Sequence, residues 1–297
     1  MDLKWSILSK YRNEIYGFSA LWIIVFHLVI IKRASFSKEI AFLSDYFLHG
    51  NCGVEIFFFL SGISLFYAIK KSKSLCDFYV RRFKRILIPL FIIDGVYWLC
   101  LCLVGDISVL QFLKNITFYS FWLEGNSLVW FVACLIVLYI FYPLIYKYIL
   151  NNQSLTIQGK LMCIIMMCVC SYIFCWLFKS FDAVWYRNIE KALTRIPVFL
   201  LGCYCGILCY EEKSLSTLVK FGSLIITLIG IAYFFEHPVS LYKSYRIPYL
   251  LVGPSIAIWL AICLDTIQSK LLNRMMCLWG GTFTGAVFVP CDSHNFV

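Results

Sequence analysis

The stretch that decides the fold is residues 51–69, NCGVEIFFFLSGISLFYAI, in which Glu55 is the one charged residue. About 20 mostly apolar residues in a helix are long enough to cross a lipid bilayer. Inside the hydrocarbon region a chain must satisfy its own backbone hydrogen bonds, which favours a helix over an irregular segment. The stretch therefore predicts a transmembrane helix that carries a carboxylate.

Apolar runs of similar length recur on both sides of this stretch. The segment 111–123 is rich in Phe and Trp but too short to span, so we expect it to lie at the membrane interface or to re-enter it. The fold class predicted is all-α, a polytopic helical bundle with about nine spans in one transmembrane domain that covers residues 1–297. The predicted helices are 15–31, 51–69, 86–104, 128–149, 161–179, 193–210, 217–235 and 247–264, and a ninth begins near Leu278.

The composition supports a membrane protein. Hydrophobic residues make up 62% of the chain and charged residues 14%, against about 45–50% and 25% in soluble domains. This excludes a soluble enzyme with a single anchor and a disordered regulator. The net charge of +10 is spread over short segments between apolar runs, so we expect a lipid bilayer as partner and no nucleic acid. The 15 cysteines lack zinc-site spacing, and no metal is expected.

The distribution of Lys and Arg predicts the orientation. With the N-terminus in the cytoplasm, sixteen of the 26 Lys and Arg fall on the inner side and ten on the outer side. The densest group, residues 81–85, then lies inside, as the positive-inside rule requires. The predicted location is the cell membrane, with several spans and a cytoplasmic N-terminus.

Ionisable residues inside spans are functional candidates because they are expensive in lipid. His27 lies about 18 Å along the first helix from Ile15, in the outer half of the membrane. Glu55 opens the second helix from the outer side, at a similar depth. A carboxylate near an imidazole can hold its tautomer and stabilise the imidazolium. The alternative is a histidine that only hydrogen-bonds a neighbouring helix.

Two further features could bind substrates. Asp94 lies midway through the third helix, where it could also satisfy a polar side chain across the bundle. Arg81 and Arg85 are spaced i, i+4 and share a helix face with Arg82, a geometry suited to phosphates. The alternative is that these arginines only set the topology and hold anionic lipid headgroups.

With these residues in place, the sequence resembles the membrane-bound acyltransferase family 3 over nearly the whole chain. The family uses acyl-CoA to acylate hydroxyls of surface and exported carbohydrates. The motifs that carry the resemblance, in order, are residues 12–17 (RNEIYG) leading to Phe26-His27, residues 53–62 (GVEIFFFLSG), the Arg81/Arg82/Arg85 group before Pro89, Trp130-Phe131 ahead of Tyr139 and Pro143, and residues 195–202 (RIPVFLLG).

The resemblance implies roles for these residues. It makes His27 the catalytic base and has the arginine group bind the acyl-CoA co-substrate, with acetyl-CoA the first candidate and no metal. We assign Glu55 to catalysis with His27, and Asp94, Trp130 and Arg195 to substrate binding. The acceptor implied is a carbohydrate.

Two alternatives remain open. A multi-pass transporter of a small solute would also explain the intramembrane charges, but not the arginine group. An inactive, truncated family member would explain the C-terminus, where a span that is too short and stops at a proline stands in place of the family's last helices. The family core has roughly ten helices, and we expect this chain to be incomplete after about residue 281. The expected cause is a single-nucleotide frameshift near Gly281.

Overall fold

The computed structural model describes residues 3–32, 47–126, 129–178, 184–236, 246–267 and 274–276. Within these ranges the chain is helical apart from turns and one isolated β-bridge between Lys4 and Ser214, which confirms the predicted all-α class. The α-helices are α1 (Ile7–Lys10), α2 (Arg12–Lys32), α3 (Cys52–Lys71), α4 (Leu75–Leu90), α5 (Val96–Val104), α6 (Val109–Ile116), α7 (Tyr119–Glu124), α8 (Trp130–Ile145), α9 (Ile157–Phe178), α10 (Val184–Leu193), α11 (Ile196–Tyr210), α12 (Thr217–Glu236) and α13 (Ile247–Ile267).

The protein is a multi-pass membrane protein. α2 and α12 coincide with the predicted spans 15–31 and 217–235. α6 and α7 are too short to cross a bilayer, as expected for the segment 111–123. The predicted ninth helix near Leu278 and the tail after Gly281 lie outside the described residues. Among the residues that the structure describes, six stretches are long and apolar enough to cross a membrane: Leu48–Lys71, Leu75–Val104, Trp130–Leu150, Ile157–Phe178, Tyr186–Tyr210 and Ile247–Ile267.

The third helix begins earlier than the apolar pattern predicted. Ser74 caps α4: its hydroxyl accepts a hydrogen bond from the backbone amide of Asp77 at 3.1 Å. This satisfies one of the N–H groups of the first turn that have no acceptor within the helix. After Pro89 the chain passes through a π-helical turn, Phe91–Gly95, into α5. A proline inside a helix removes one backbone hydrogen bond, and a π turn is one way to absorb the change.

Contacts divide the chain into two compact units, residues 1–67 with 198–297, and residues 68–197. In the first unit α3 and α11 approach closely at two glycines. A Cβ atom on Gly202 would lie 2.0 Å from the carbonyl oxygen of Phe59, and one on Gly62 would lie 2.4 Å from that of Phe199. Only glycine, which has no Cβ atom, allows the two backbones to come this near. Small residues at the interfaces of transmembrane helices commonly serve this purpose.

Ion pairs join the ends of the first unit's helices. At one end Lys10, before α2, pairs with Asp265 of α13 at 2.7 Å. At the other end Arg246, before α13, pairs with Glu55 of α3 at 2.7 Å. α2 and α13 therefore run in opposite directions, as alternate crossings require.

In the second unit α4 packs on α8. The buried rings of Phe78 and Tyr142 stack with centroids 6.0 Å apart, and the hydroxyl of Tyr79 donates to the carbonyl of Ile140 at 2.9 Å. Elsewhere on this unit large apolar side chains are exposed along α5 and α9, such as Leu103 and Trp176. Surfaces of this kind are suited to lipid.

Candidate functional site

His27 lies on an exposed face of α2, about 22 Å along the helix from Arg12. Its ring contacts the neighbouring ring of Phe26, with centroids 5.0 Å apart. A turn of the chain lies directly beside this part of α2: a Cβ atom on Gly50 would be 2.4 Å from the carbonyl oxygen of Trp22 and 2.8 Å from Cβ of Phe26. Gly50 therefore allows the Leu48–Asn51 turn to press against the residues that precede His27.

Glu55 is almost completely buried at the start of α3. Its Oε1 accepts a hydrogen bond from Nε of Arg246 at 2.7 Å, so its carboxylate is paired with an arginine and not with His27. Gly53, on the same turn, packs on α2 as well, where an added Cβ would be 2.8 Å from the carbonyl of Ser19. The ion pair therefore lies at the point where α3 starts against α2.

A second buried polar pair lies beside the first. Nδ1 of His49 and the hydroxyl of Tyr249 are 3.0 Å apart, a hydrogen-bond distance, and His49 is only 1% exposed. The guanidinium of Arg246 lies over the Tyr249 ring, 4.4 Å from its centroid. Together Glu55, Arg246, His49 and Tyr249 form a buried cluster, named the outer cluster below because the predicted topology puts these helix ends outside.

Sequence reasoning did not find three members of the outer cluster. His49, Arg246 and Tyr249 are not among the candidate site residues that the sequence indicates. The signal available was weak, because a lone histidine or arginine at a helix end is usually solvated, and the partners lie 191 and 200 positions away in the chain.

The arginine group lies in the first three turns of α4. Arg81 forms an ion pair with Asp77 one turn earlier and also donates to the carbonyl of Lys71 at 3.3 Å. Arg85 is exposed and Arg82 is half-buried. Arg81 is thus held by Asp77 of its own helix and by the end of α3, whereas Arg82 and Arg85, three positions apart, share one face of α4.

Two of the predicted substrate-binding residues meet in the second unit. The guanidinium of Arg195 lies 4.8 Å from the ring centroid of Trp130, a cation–π contact. Arg195 is 6% exposed and donates through one nitrogen to the carbonyl of Lys191 at 3.1 Å and to Oγ1 of Thr194 at 3.0 Å. Asp94, the third, lies in the π-helical turn with a half-buried side chain.

The predicted residues are thus divided by unit. His27 and Glu55 belong to the first unit, and the arginine group with Asp94, Trp130 and Arg195 belongs to the second. Among the described residues no group of three or more His, Cys, Asp or Glu comes together as metal ligands.

Comparison with known families gives one match. The acyltransferase domain of acyltransferase family 3 matches residues 17–287, which is most of the chain and includes the outer cluster and the arginine group. No curated protein and no solved structure matches. The chain belongs to acyltransferase family 3, and it is a multi-pass membrane acyltransferase.

Proposed function

We propose that this acyltransferase moves an acyl group, with acetyl the first candidate, from cytoplasmic acyl-CoA to a hydroxyl of a surface or exported carbohydrate. The observation that carries the proposal is the position of His27 on an exposed face of α2, next to the turn that leads into the outer cluster. The protein would act in the cell membrane with its N-terminus in the cytoplasm, as the excess of Lys and Arg on that side favours.

His27 acts as the general base in this proposal. An imidazole nitrogen takes the proton of the sugar hydroxyl while the hydroxyl oxygen bonds to the thioester carbonyl carbon. The tetrahedral intermediate then collapses, the carbon–sulfur bond breaks, and the CoA thiolate takes up the proton. A hydroxyl is a poor nucleophile at neutral pH, and general-base help is worth about 10²–10⁴-fold.

Glu55 supports this step as a positioning residue. Its ion pair with Arg246 fixes the start of α3 at the start of α13, two residues from Gly53, which packs on α2, the helix that carries His27. Its contribution acts through His27 and not through contact with the substrate.

The arginine group binds the phosphates of the acyl donor, with Arg82 and Arg85 as the principal contacts. Guanidinium groups match phosphate oxygens in pairs of parallel hydrogen bonds. For the acceptor, the Trp130–Arg195 pair offers an aromatic face and a cation and Asp94 offers a carboxylate, all of which suit a polyhydroxylated ligand.

The test is acyl transfer by the purified chain in lipid vesicles, measured with radiolabelled acetyl-CoA and the polysaccharide of the source cell. We expect His27→Ala to lower kcat by about 10²–10⁴-fold with little change in KM for acetyl-CoA. Wild-type protein that binds acetyl-CoA but transports a solute without releasing free CoA would contradict the proposal. A His27→Ala variant with wild-type kcat would remove His27 from the mechanism.

A further inference from the structure

A cavity of about 390 Å³ lies in the second unit, where α3 ends and α4 begins. Its walls come from two stretches of chain, the turn 69–75 and the end of α8 with the π-helical turn Tyr146–Leu150 that follows it. Polar residues on the walls include Ser72, Ser74 and Lys147. π-helical turns are rare and often occur at functional sites.

Two tyrosines of the π-helical turn carry lysines near their rings at this cavity. Nζ of Lys147 lies 5.2 Å from the ring centroid of Tyr148, and Nζ of Lys70 lies 5.8 Å from that of Tyr146. Tyr148 is 61% exposed, although it follows an apolar helix. An accessible aromatic face beside cations is the arrangement that stacks a nucleobase while attracting its phosphates.

The wall that carries the tyrosines is fixed by one side chain. Oδ1 of Asn151 accepts from Nζ of Lys70 at 3.3 Å and from the hydroxyl of Tyr146 at 3.2 Å. These hydrogen bonds tie the end of α3 to the π-helical turn across the cavity. The cavity is therefore formed in advance of any ligand, which lowers the entropy lost on binding.

The cavity lies close to the arginine group. On α4, Arg82 and Arg85 share a face with Phe78, the residue that packs on α8. Arg82 and Arg85 lie about 10 and 15 Å along the helix from Leu75, which lines the cavity. An adenosine diphosphate unit is of comparable length, so its base and its pyrophosphate could reach both sites.

We propose that this cavity binds the adenine of acyl-CoA, stacked on Tyr148, with Lys147 and Lys70 beside its ribose phosphate and the pyrophosphate at Arg82 and Arg85. The inference rests on the proposed function, because it requires a CoA donor. It assigns the adenine and the ribose phosphate of the donor to Tyr148, Lys147 and Lys70, which no motif of the family resemblance included.

The experiment compares two ligands, CoA and 4′-phosphopantetheine, which lacks the adenosine. Both are titrated by calorimetry into the full chain in lipid nanodiscs. Loss of one aromatic stack corresponds to about tenfold in affinity, so we expect Tyr148→Ala to weaken CoA about tenfold. Binding of phosphopantetheine should not change. Tyr148→Trp, which keeps an aromatic face, should restore CoA binding.

The matched control is Tyr119→Ala in the same unit. Tyr119 is also exposed and has Nζ of Lys114 at 5.5 Å from its ring centroid, but it does not line the cavity. CoA binding by this variant should equal that of the wild type. If wild-type chain binds CoA and Tyr148→Ala binds it equally well, the adenine site is wrong while the donor proposal stands. If the wild type binds neither ligand, the CoA donor itself is wrong, and the inference is overturned with it.

Discussion

At the scale of single residues, the pairing of Glu55 with Arg246 is the feature that most changes the interpretation of the site. Removing a carboxylate and a guanidinium from water has a large desolvation cost, which only good geometry and close approach can offset. Here the Nε–Oε1 distance is 2.7 Å and Tyr249 covers the guanidinium from one side. The geometry therefore meets the condition under which a buried ion pair persists.

We predict that Arg246→Ala destabilises the protein by about 3–5 kcal/mol, because it removes the ion-pair partner of a buried carboxylate. The thermal midpoint in detergent should fall markedly. The double variant Glu55→Gln/Arg246→Gln should recover part of this loss, because no charge then needs a partner. Equal midpoints for Arg246→Ala and wild type would show that the pair contributes nothing to stability.

At the scale of elements, the contact between α3 and α11 depends on glycines that place the backbones almost in contact. We predict that Gly202→Ala lowers stability by about 1–3 kcal/mol, since its methyl group would meet the carbonyl of Phe59 and force the helices apart. Thermal unfolding measures the change.

The control for Gly202 is another glycine in a helix. Gly222 of α12 has open space where a Cβ would be added. Gly222→Ala should therefore leave stability unchanged or raise it by up to about 1 kcal/mol, because alanine favours the helix. If both alanines have the same effect, close approach is not what Gly202 provides.

The turn between α6 and α7 gives a pH-dependent element. A hydrogen bond from Lys114 lowers the pKa of Glu124 below its usual range. Because the folded pKa is the lower one, the pair stabilises this turn above the unfolded pKa of about 4.3, and the effect is lost as the pH falls through the folded value. In amide exchange, residues 119–124 should lose more protection between pH 7 and pH 3 in the wild type than in Lys114→Met. Equal losses would exclude the pair as the cause.

At the scale of the whole molecule, the proposed base and the proposed donor site belong to different compact units. We predict that mutations at the donor site change mainly KM for acetyl-CoA and that mutation of the base changes mainly kcat. Arg82→Ala/Arg85→Ala should raise KM for acetyl-CoA by tenfold or more, because hydrogen bonds to charged groups are worth about 1.5–3 kcal/mol each. Its kcat should change far less than that of His27→Ala.

Lys84→Ala provides the control for this double variant. Lys84 is exposed on the same helix but points among the apolar side chains of the opposite face, including Phe83 and Leu87. Its KM for acetyl-CoA should match the wild type. A parallel loss of membrane insertion in the double arginine variant and in Lys84→Ala would show that these residues only set the topology.

The sequence alone determined the fold class and the positions of most spans. Whether a segment of about 20 residues can cross a bilayer depends on its own length and hydropathy, which are local properties. For the same reason the non-spanning character of the segment 111–123 could be predicted. Family membership followed from short motifs, which are also local.

Only the tertiary structure decided which polar residues meet. Glu55 could be recognised as a buried carboxylate, but its partner could equally have been His27 until α13 was placed beside α3. The same holds for His49 and Tyr249, and for Trp130 and Arg195 in the other unit. Such pairs depend on how distant helices pack, and the periodicity of one helix shows the face that is polar but not the side chain opposite it.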